Sequence, residues 1–444
     1  MARESVRVDR FTARTGSNSA GEDLEGLKLR LHGRLVSELD PTKMSTADEG
    51  ELREVVQEAI NVLLDEEEAA VRLNLRQRQA LINELLDEVL GFGPLQSLLD
   101  DPTVNEIMVN AADDVYVERN GLLEKTNKTF RDDAHVMQVI ERIIAPLGRR
   151  LDESSPMVDA RVPGGYRLNA IVPPLSLRGP TVTIRKFFQE RYWMDDLVRI
   201  GTLTQEVANL LKVCVEARLN VVISGGTGTG KTTMLNTLSA FIPASQRIIT
   251  IENPAELQLK QPHVVRLETR PPSIEGKNEV AQRELVVNAL RMRPDRIIVG
   301  EARSGEAFDM LQAMNTGHEG SMTTIHANTP RDALTRIENM VMLAGFDLPV
   351  RVIREMMASA LDMVVQIARL SDGTRRVTHV TEVAGMEGMT ITTQDIYLFV
   401  QRGVDKDGKV IGKLEPTGIR PYFTEKLASL GLALPAGLFV RAGS

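Results

Sequence analysis

Residues 224–235, SGGTGTGKTTML, follow the apolar run LNVVI and precede a helix-forming stretch. Gly225, Gly226, Thr227, Gly228, Thr229, Gly230, Lys231, Thr232 and Thr233 fit the G-x-x-x-x-G-K-[ST] spacing without a gap. Glycines let backbone N–H groups converge on a β-phosphate, and the start of the following helix adds a favourable dipole. Lys231 would reach the β and γ oxygens, and Thr232 would ligate Mg²⁺. The chemistry implied is that of ATP with Mg²⁺.

Water must also be activated or held. RIIVGEAR ends an apolar strand at Glu301, and TIENPAEL ends another at Glu252, close to Glu256. In a parallel sheet, strand ends share the edge where ligands bind. Carboxylates placed there can orient the attacking water in phosphoryl transfer. TGHEGSMTTIHAN adds His318 and His326, one on each side of a strand-like SMTTI. Arg161, Arg167, Arg178 and Arg185 gather in an earlier segment, and guanidinium forks can bond phosphate oxygens in pairs. Arg270, Arg291, Arg293 and Arg303 lie in the same stretch as the glycine loop and could act across a subunit boundary. Asp405 and Asp407 in VDKDGKV lack the further acidic ligands of a calcium loop and read as a hairpin turn.

These residues need a scaffold. Residues 1–45 are polar and read as a mobile tail, and 46–99 as a helical bundle, with Leu52, Val55, Val56, Ala59, Ile60, Leu63 and Leu64 at helical spacing. The second apolar stripe, through Leu81, Leu85, Leu86 and Val89, stops at Gly91 and Pro94. Residues 100–187 alternate in short strands with hairpin turns at Asn120-Gly121 and Gly164-Gly165, around the helical AHVMQVIERIIAPL. Residues 188–203 read as a linker. From 204 to 444, β-branched runs alternate with helices, which implies a buried parallel sheet, followed after about 370 by strand-like pieces.

With 444 residues and 42% hydrophobic content, the chain has material for two or three domains. A net charge of −8 argues against a coat for phosphate backbones, so no nucleic-acid partner is expected. Cys214 is the single cysteine, which excludes an internal disulfide framework and a four-cysteine zinc cluster. The N-terminus lacks the apolar core of a signal peptide, and no apolar run is long enough to span a bilayer. A cytoplasmic chain that meets membranes only through partners is expected.

In order, GGTGTGKTT, TIENPAEL, RPDRIIVGEAR and TGHEGSMTTIHAN resemble the Walker A, Asp box, Walker B and His box of the secretion ATPase superfamily. These are the hexameric motors of type II secretion, type IV pili and type IV secretion. GFGPL, RLETRPPSIEGKNEV and the tail TGIRPYFTEKLASLGLALPAGLF resemble the Tad pilus assembly ATPases of the CpaF type. The resemblance implies an α/β chain, with a RecA-like P-loop domain preceded by an α+β, PAS-like domain and an N-terminal helical bundle. It assigns Lys231 and Thr232 to phosphate and Mg²⁺, Glu301 to the atypical Walker B position, and Glu252 to the Asp box. It makes His318 and His326 sensors of nucleotide state, and it brings the arginines of the α+β domain onto ATP as that domain closes. Asn253 departs from the family's usual second carboxylate. The partners implied are other copies of the chain, in a hexamer, and an inner-membrane platform for pilin. A type IV secretion traffic ATPase and a non-hydrolysing nucleotide-binding scaffold are the alternatives.

Overall fold

The computed structural model describes residues 19–38, 49–67, 73–119, 122–162, 165–186, 192–272, 277–432 and 434–441. It divides into two compact units, Met1–Phe188 and Gln189–Ser444.

Among the described residues the first unit opens with helices Ser19–Glu38, Glu49–Glu67 and Leu75–Val89. The tail expected over residues 1–45 is therefore corrected for Ser19–Glu38; residues 1–18 and 39–45 lie outside the described residues. Leu27, Leu31 and Leu35 recur every four residues, forming one stripe that packs on Val56, Ile60, Leu63, Leu81, Leu85 and Leu86. Each such leucine, removed from water, contributes roughly 2 kcal/mol. Asn74 starts the third helix: its Oδ1 accepts from Gln77 N at 2.9 Å, and Gln77 Oε1 accepts from Asn74 N at 3.1 Å.

The same unit carries six antiparallel strands, β1 (Val104–Ala111), β2 (Asp114–Arg119), β3 (Leu122–Lys125), β4 (Met157–Arg161), β5 (Arg167–Ile171) and β6 (Thr181–Arg185), ordered β3-β2-β1-β6-β5-β4. Helix Asp133–Ile144 covers one face through Val136, Val139, Ile140 and Ile143. Asn120, Gly121 and Gly164 lie outside the described residues, although β2 pairs with β3 as Arg119↔Leu122 and β4 with β5 as Arg161↔Arg167.

The second unit is built on a nine-stranded sheet: β7 (Val221–Gly225), β8 (Ile248–Glu252), β9 (Val264–Glu268), β10 (Arg296–Val299), β11 (Met322–Ile325), β12 (Met363–Arg369), β13 (Arg375–Glu387), β14 (Thr390–Val404) and β15 (Val410–Pro416). The order is β15-β14-β13-β12-β7-β11-β10-β8-β9, parallel from β12 to β9 and antiparallel from β12 to β15. Its central strands are buried on both faces, which is why they read as unbroken β-branched runs. Of residues 188–203, read as linker, 188–191 lie outside the described residues, and 192–203 contain helix Met194–Arg199, with Met194, Leu197 and Leu203 in the core beneath the sheet. Asp405 Oδ1 accepts from Asp407 N at 2.9 Å and Lys409 N at 2.8 Å, holding the β14–β15 turn. Among the described residues no helix is long and apolar enough to cross a membrane.

Candidate functional site

The glycine loop joins β7 to helix Lys231–Ser239 at the C-terminal edge of the parallel strands. Its glycines have separate reasons. A Cβ on Gly225 would stand 2.5 Å from Ile367 O and 2.6 Å from Thr229 Oγ1, and Gly228 and Gly230 adopt φ of +70° and +95°. Thr229 Oγ1 donates to Gly226 O at 2.9 Å, drawing the loop into a cradle, while Thr227 and Gly228 are exposed on its rim. Thr232 and Thr233 occupy the first turn of the helix. A glycine-rich loop that runs directly into a helix start fits a phosphate chain. Thr232 is the hydroxyl beside it that would hold Mg²⁺, and the ion, when bound, would neutralise charge on the β and γ oxygens.

Lys231 is buried, and its Nζ donates to Gly226 O at 2.8 Å. The same ammonium stands 3.5 Å from His326 Nδ1 and 3.3 Å from Nε2. His326, one residue past β11, places Nε2 at 2.9 Å from Glu301 Oε1, while Arg303 holds Glu301 Oε2 at 2.7 Å. Burial, with the Lys231 charge, lowers the His326 pKa below its ordinary value; Glu301 opposes the shift in part. These surroundings favour the neutral ring, whose Nε2 faces the Glu301 carboxylate. Lys231, at the helix start, and His326 and Glu301, just past two strand ends, thus form one chain of contacts.

Glu252 ends β8 and is 2% exposed. Its Oε2 accepts from Glu256 N at 2.5 Å and Leu257 N at 2.7 Å, while Oε1 is buried without a hydrogen-bond partner. Burial raises its pKa, and the two backbone N–H groups counter this. A methyl on Gly300 would lie 3.2 Å from Glu252 Cγ, so this carboxylate borders the strand that leads to Glu301. A buried carboxylate oxygen without a protein partner is an acceptor for water.

His318 is elsewhere. It precedes β11 whereas His326 follows it, so the two histidines occupy opposite edges of the sheet. Around His318 the chain is clamped: Asn220 Oδ1 accepts from Gly320 N at 2.7 Å and Ser321 N at 3.0 Å, and Ser321 Oγ donates to His318 O at 2.8 Å. The expected pairing of His318 with the nucleotide edge is not what the fold builds within one chain.

The arginines of the first unit also divide. Arg161 is opposite Arg167, Arg167 opposite Arg185, and Arg185 opposite Glu106, so three guanidinium groups and one carboxylate share a row on neighbouring strands. Arg178 lies in the β5–β6 loop, at the other end of these strands, 3.9 Å from Asp114. Sequence proximity grouped four arginines; strand register keeps three. Register was not visible in any local pattern.

The family model described as "Type II/IV secretion system protein" matches residues 88–405, and that of the "Type II secretion system protein E, N-terminal domain" matches residues 24–90. The chain belongs to the type II/IV secretion system protein family. The conjugal transfer protein TrbB of Rhizobium radiobacter is 36% identical over 317 residues, covering 70% of this chain and 93% of that one. VirB11 of the type IV secretion system of Bartonella henselae is 30% identical over 328 residues, covering 65% and 90%. Among solved structures, the VirB11 ATPase of the Brucella suis type IV secretion system is similar at 31% identity, covering 65% and 94%, with a TM-score of 0.35.

Proposed function

We propose that this chain hydrolyses ATP with Mg²⁺ and acts as the motor of a secretion or pilus machine. The observation carrying this reading is the convergence of Lys231, His326 and Glu301 at the glycine cradle, with the unpaired Glu252 oxygen on the neighbouring strand. Lys231 binds the β and γ oxygens, and Glu301 and Glu252 position the attacking water. His326, held between Lys231 and Glu301, reports whether the lysine is engaged with phosphate. Arg161, Arg167 and Arg185 form a second guanidinium array suited to phosphate.

At the finer level, we propose a ring of six copies that works at the cytoplasmic face of the inner membrane through a platform protein and assembles Tad pili. This rests on the GFGPL and TGIRPYF stretches. A second reading, a traffic ATPase of type IV secretion or conjugal transfer, is supported by the names that TrbB and VirB11 carry. Phosphate release by purified chain, with and without Lys231→Ala, tests the common claim: equal rates sink it. Deleting the gene and scoring both surface fibres and substrate transfer separates the two readings. Loss of fibres alone supports the pilus, and loss of transfer alone supports secretion.

A further inference from the structure

Arg375 belongs to no motif, yet it touches the glycine loop. It opens β13, and its Nε donates to Gly228 O at 2.9 Å across 147 residues of chain. A methyl on Gly230 would meet Arg375 Cδ at 3.5 Å, so the arginine stem lies along the outside of the loop. The rest of the guanidinium is exposed.

The hairpin carrying Arg375 is held in place. β12 runs parallel to β7, with Ile367 opposite Gly225, and so carries the β12–β13 turn to the phosphate edge. Within the turn, Leu370 N donates to Thr374 O at 2.8 Å, and Asp372 accepts from both Thr374 N (2.9 Å) and Thr374 Oγ1 (2.6 Å). The other oxygen of Asp372 accepts from Val410 N at 2.9 Å, tying the turn to β15. A long, flexible side chain gains precision when its root is fixed this way.

Sheet order then fixes which end of a nucleotide lies near it. From β7, the strands bearing Glu301 and Glu252 lie to one side, beyond β11, while β12 and β13 lie to the other. The loop holds the β-phosphate. With the γ-phosphate towards the carboxylates, the α-phosphate and nucleoside fall towards the β12–β13 turn.

We propose that Arg375 is a nucleotide-positioning residue: its Nε–H fastens the loop at Gly228, and its terminal nitrogens bond the α-phosphate end of the nucleotide. This rests on the ATP reading above. It differs from a role at the γ-phosphate, because ADP and ATP must feel Arg375 equally. Losing a charge-assisted fork weakens binding by about tenfold or more.

The test is the affinity of the intact chain for ADP and for a non-hydrolysable ATP analogue, each with Mg²⁺, in wild type, Arg375→Ala, Arg375→Lys and Lys231→Ala. The expected result is a similar loss, about tenfold, for both nucleotides in Arg375→Ala, with partial recovery in Arg375→Lys. In steady-state hydrolysis, that loss should sit in KM more than in kcat. ADP affinity within twofold of wild type overturns the proposal, as does a loss confined to the triphosphate. An affinity loss that tracks a lower melting midpoint of the nucleotide-free chain also overturns it, assigning Arg375 to loop structure alone. If wild type itself binds neither nucleotide, the ATP reading fails and takes this one with it; failure in Arg375→Ala alone leaves the ATP reading standing.

Discussion

Gly320→Ala separates the two ends of the TGHEGSMTTIHAN stretch. Arg296 is fully buried; its Nη1 donates to Gly320 O at 3.0 Å, Nη2 to Val215 O at 2.7 Å and Nε to Gln246 Oε1 at 2.7 Å. An added methyl at Gly320 would stand 1.7 Å from Arg296 Nη1 and 2.9 Å from Arg218 Cα, at a φ of +81°. The guanidinium must leave its acceptors. Each lost hydrogen bond from a charged group costs about 1.5–3 kcal/mol, and the left-handed backbone adds about 1–2 kcal/mol. Allowing for relaxation, a loss of about 4 kcal/mol or more is expected. Gly317→Ala is the control: φ is +96°, but no atom lies within 4 Å of its added methyl, so only the backbone cost of about 1–2 kcal/mol applies. Urea unfolding of the full chain can follow Trp193, the single tryptophan, which belongs to the same unit and lies under Lys260 Nζ at 4.1 Å. Matching midpoints for Gly320→Ala and Gly317→Ala would refute the clamp.

Other outcomes follow from the same contacts. Because the His326 pKa is lowered, the folded chain favours the neutral ring; this contribution to stability is complete above the unfolded value of 6.5 and fades as pH falls through the lowered folded value. Hydrolysis should therefore hold steady from pH 8 down through 6.5 and fall only at more acidic pH, where an imidazolium forms against Lys231 in the folded chain; His326→Gln should flatten that acid limb in a pH–rate profile. Cys214 is fully buried and burial pushes its thiol upward, so a thiol reagent should label the chain only after unfolding, as followed by absorbance.

The glycine loop was legible because its demands are local: short-range spacing dictates positive φ and open approach. Glu301 and Glu252 were legible because apolar runs mark strands, and parallel strands put their last residues at one edge. His318 and His326 stand before and after SMTTI in the sequence, so their separation by a strand crossing is legible there; their shared role comes only from the resemblance of TGHEGSMTTIHAN to a His box. Helix Ser19–Glu38 escaped because three leucines among charges and glycines make a weak stripe until the other helices cover it. The arginine row and the Arg375 contact depend on strand register and on a partner 147 residues away, neither of which leaves a periodic trace.

On the proposed function, carboxylates at the strand edge drive cleavage of a triphosphate that the glycine loop holds. Incubating Glu301→Gln with radiolabelled ATP and Mg²⁺, then separating bound ATP from bound ADP, tests this in one experiment. ATP should be retained uncleaved, with affinity near wild type and cleavage slowed by about 10²–10⁴. Cleavage within about threefold of wild type would contradict it.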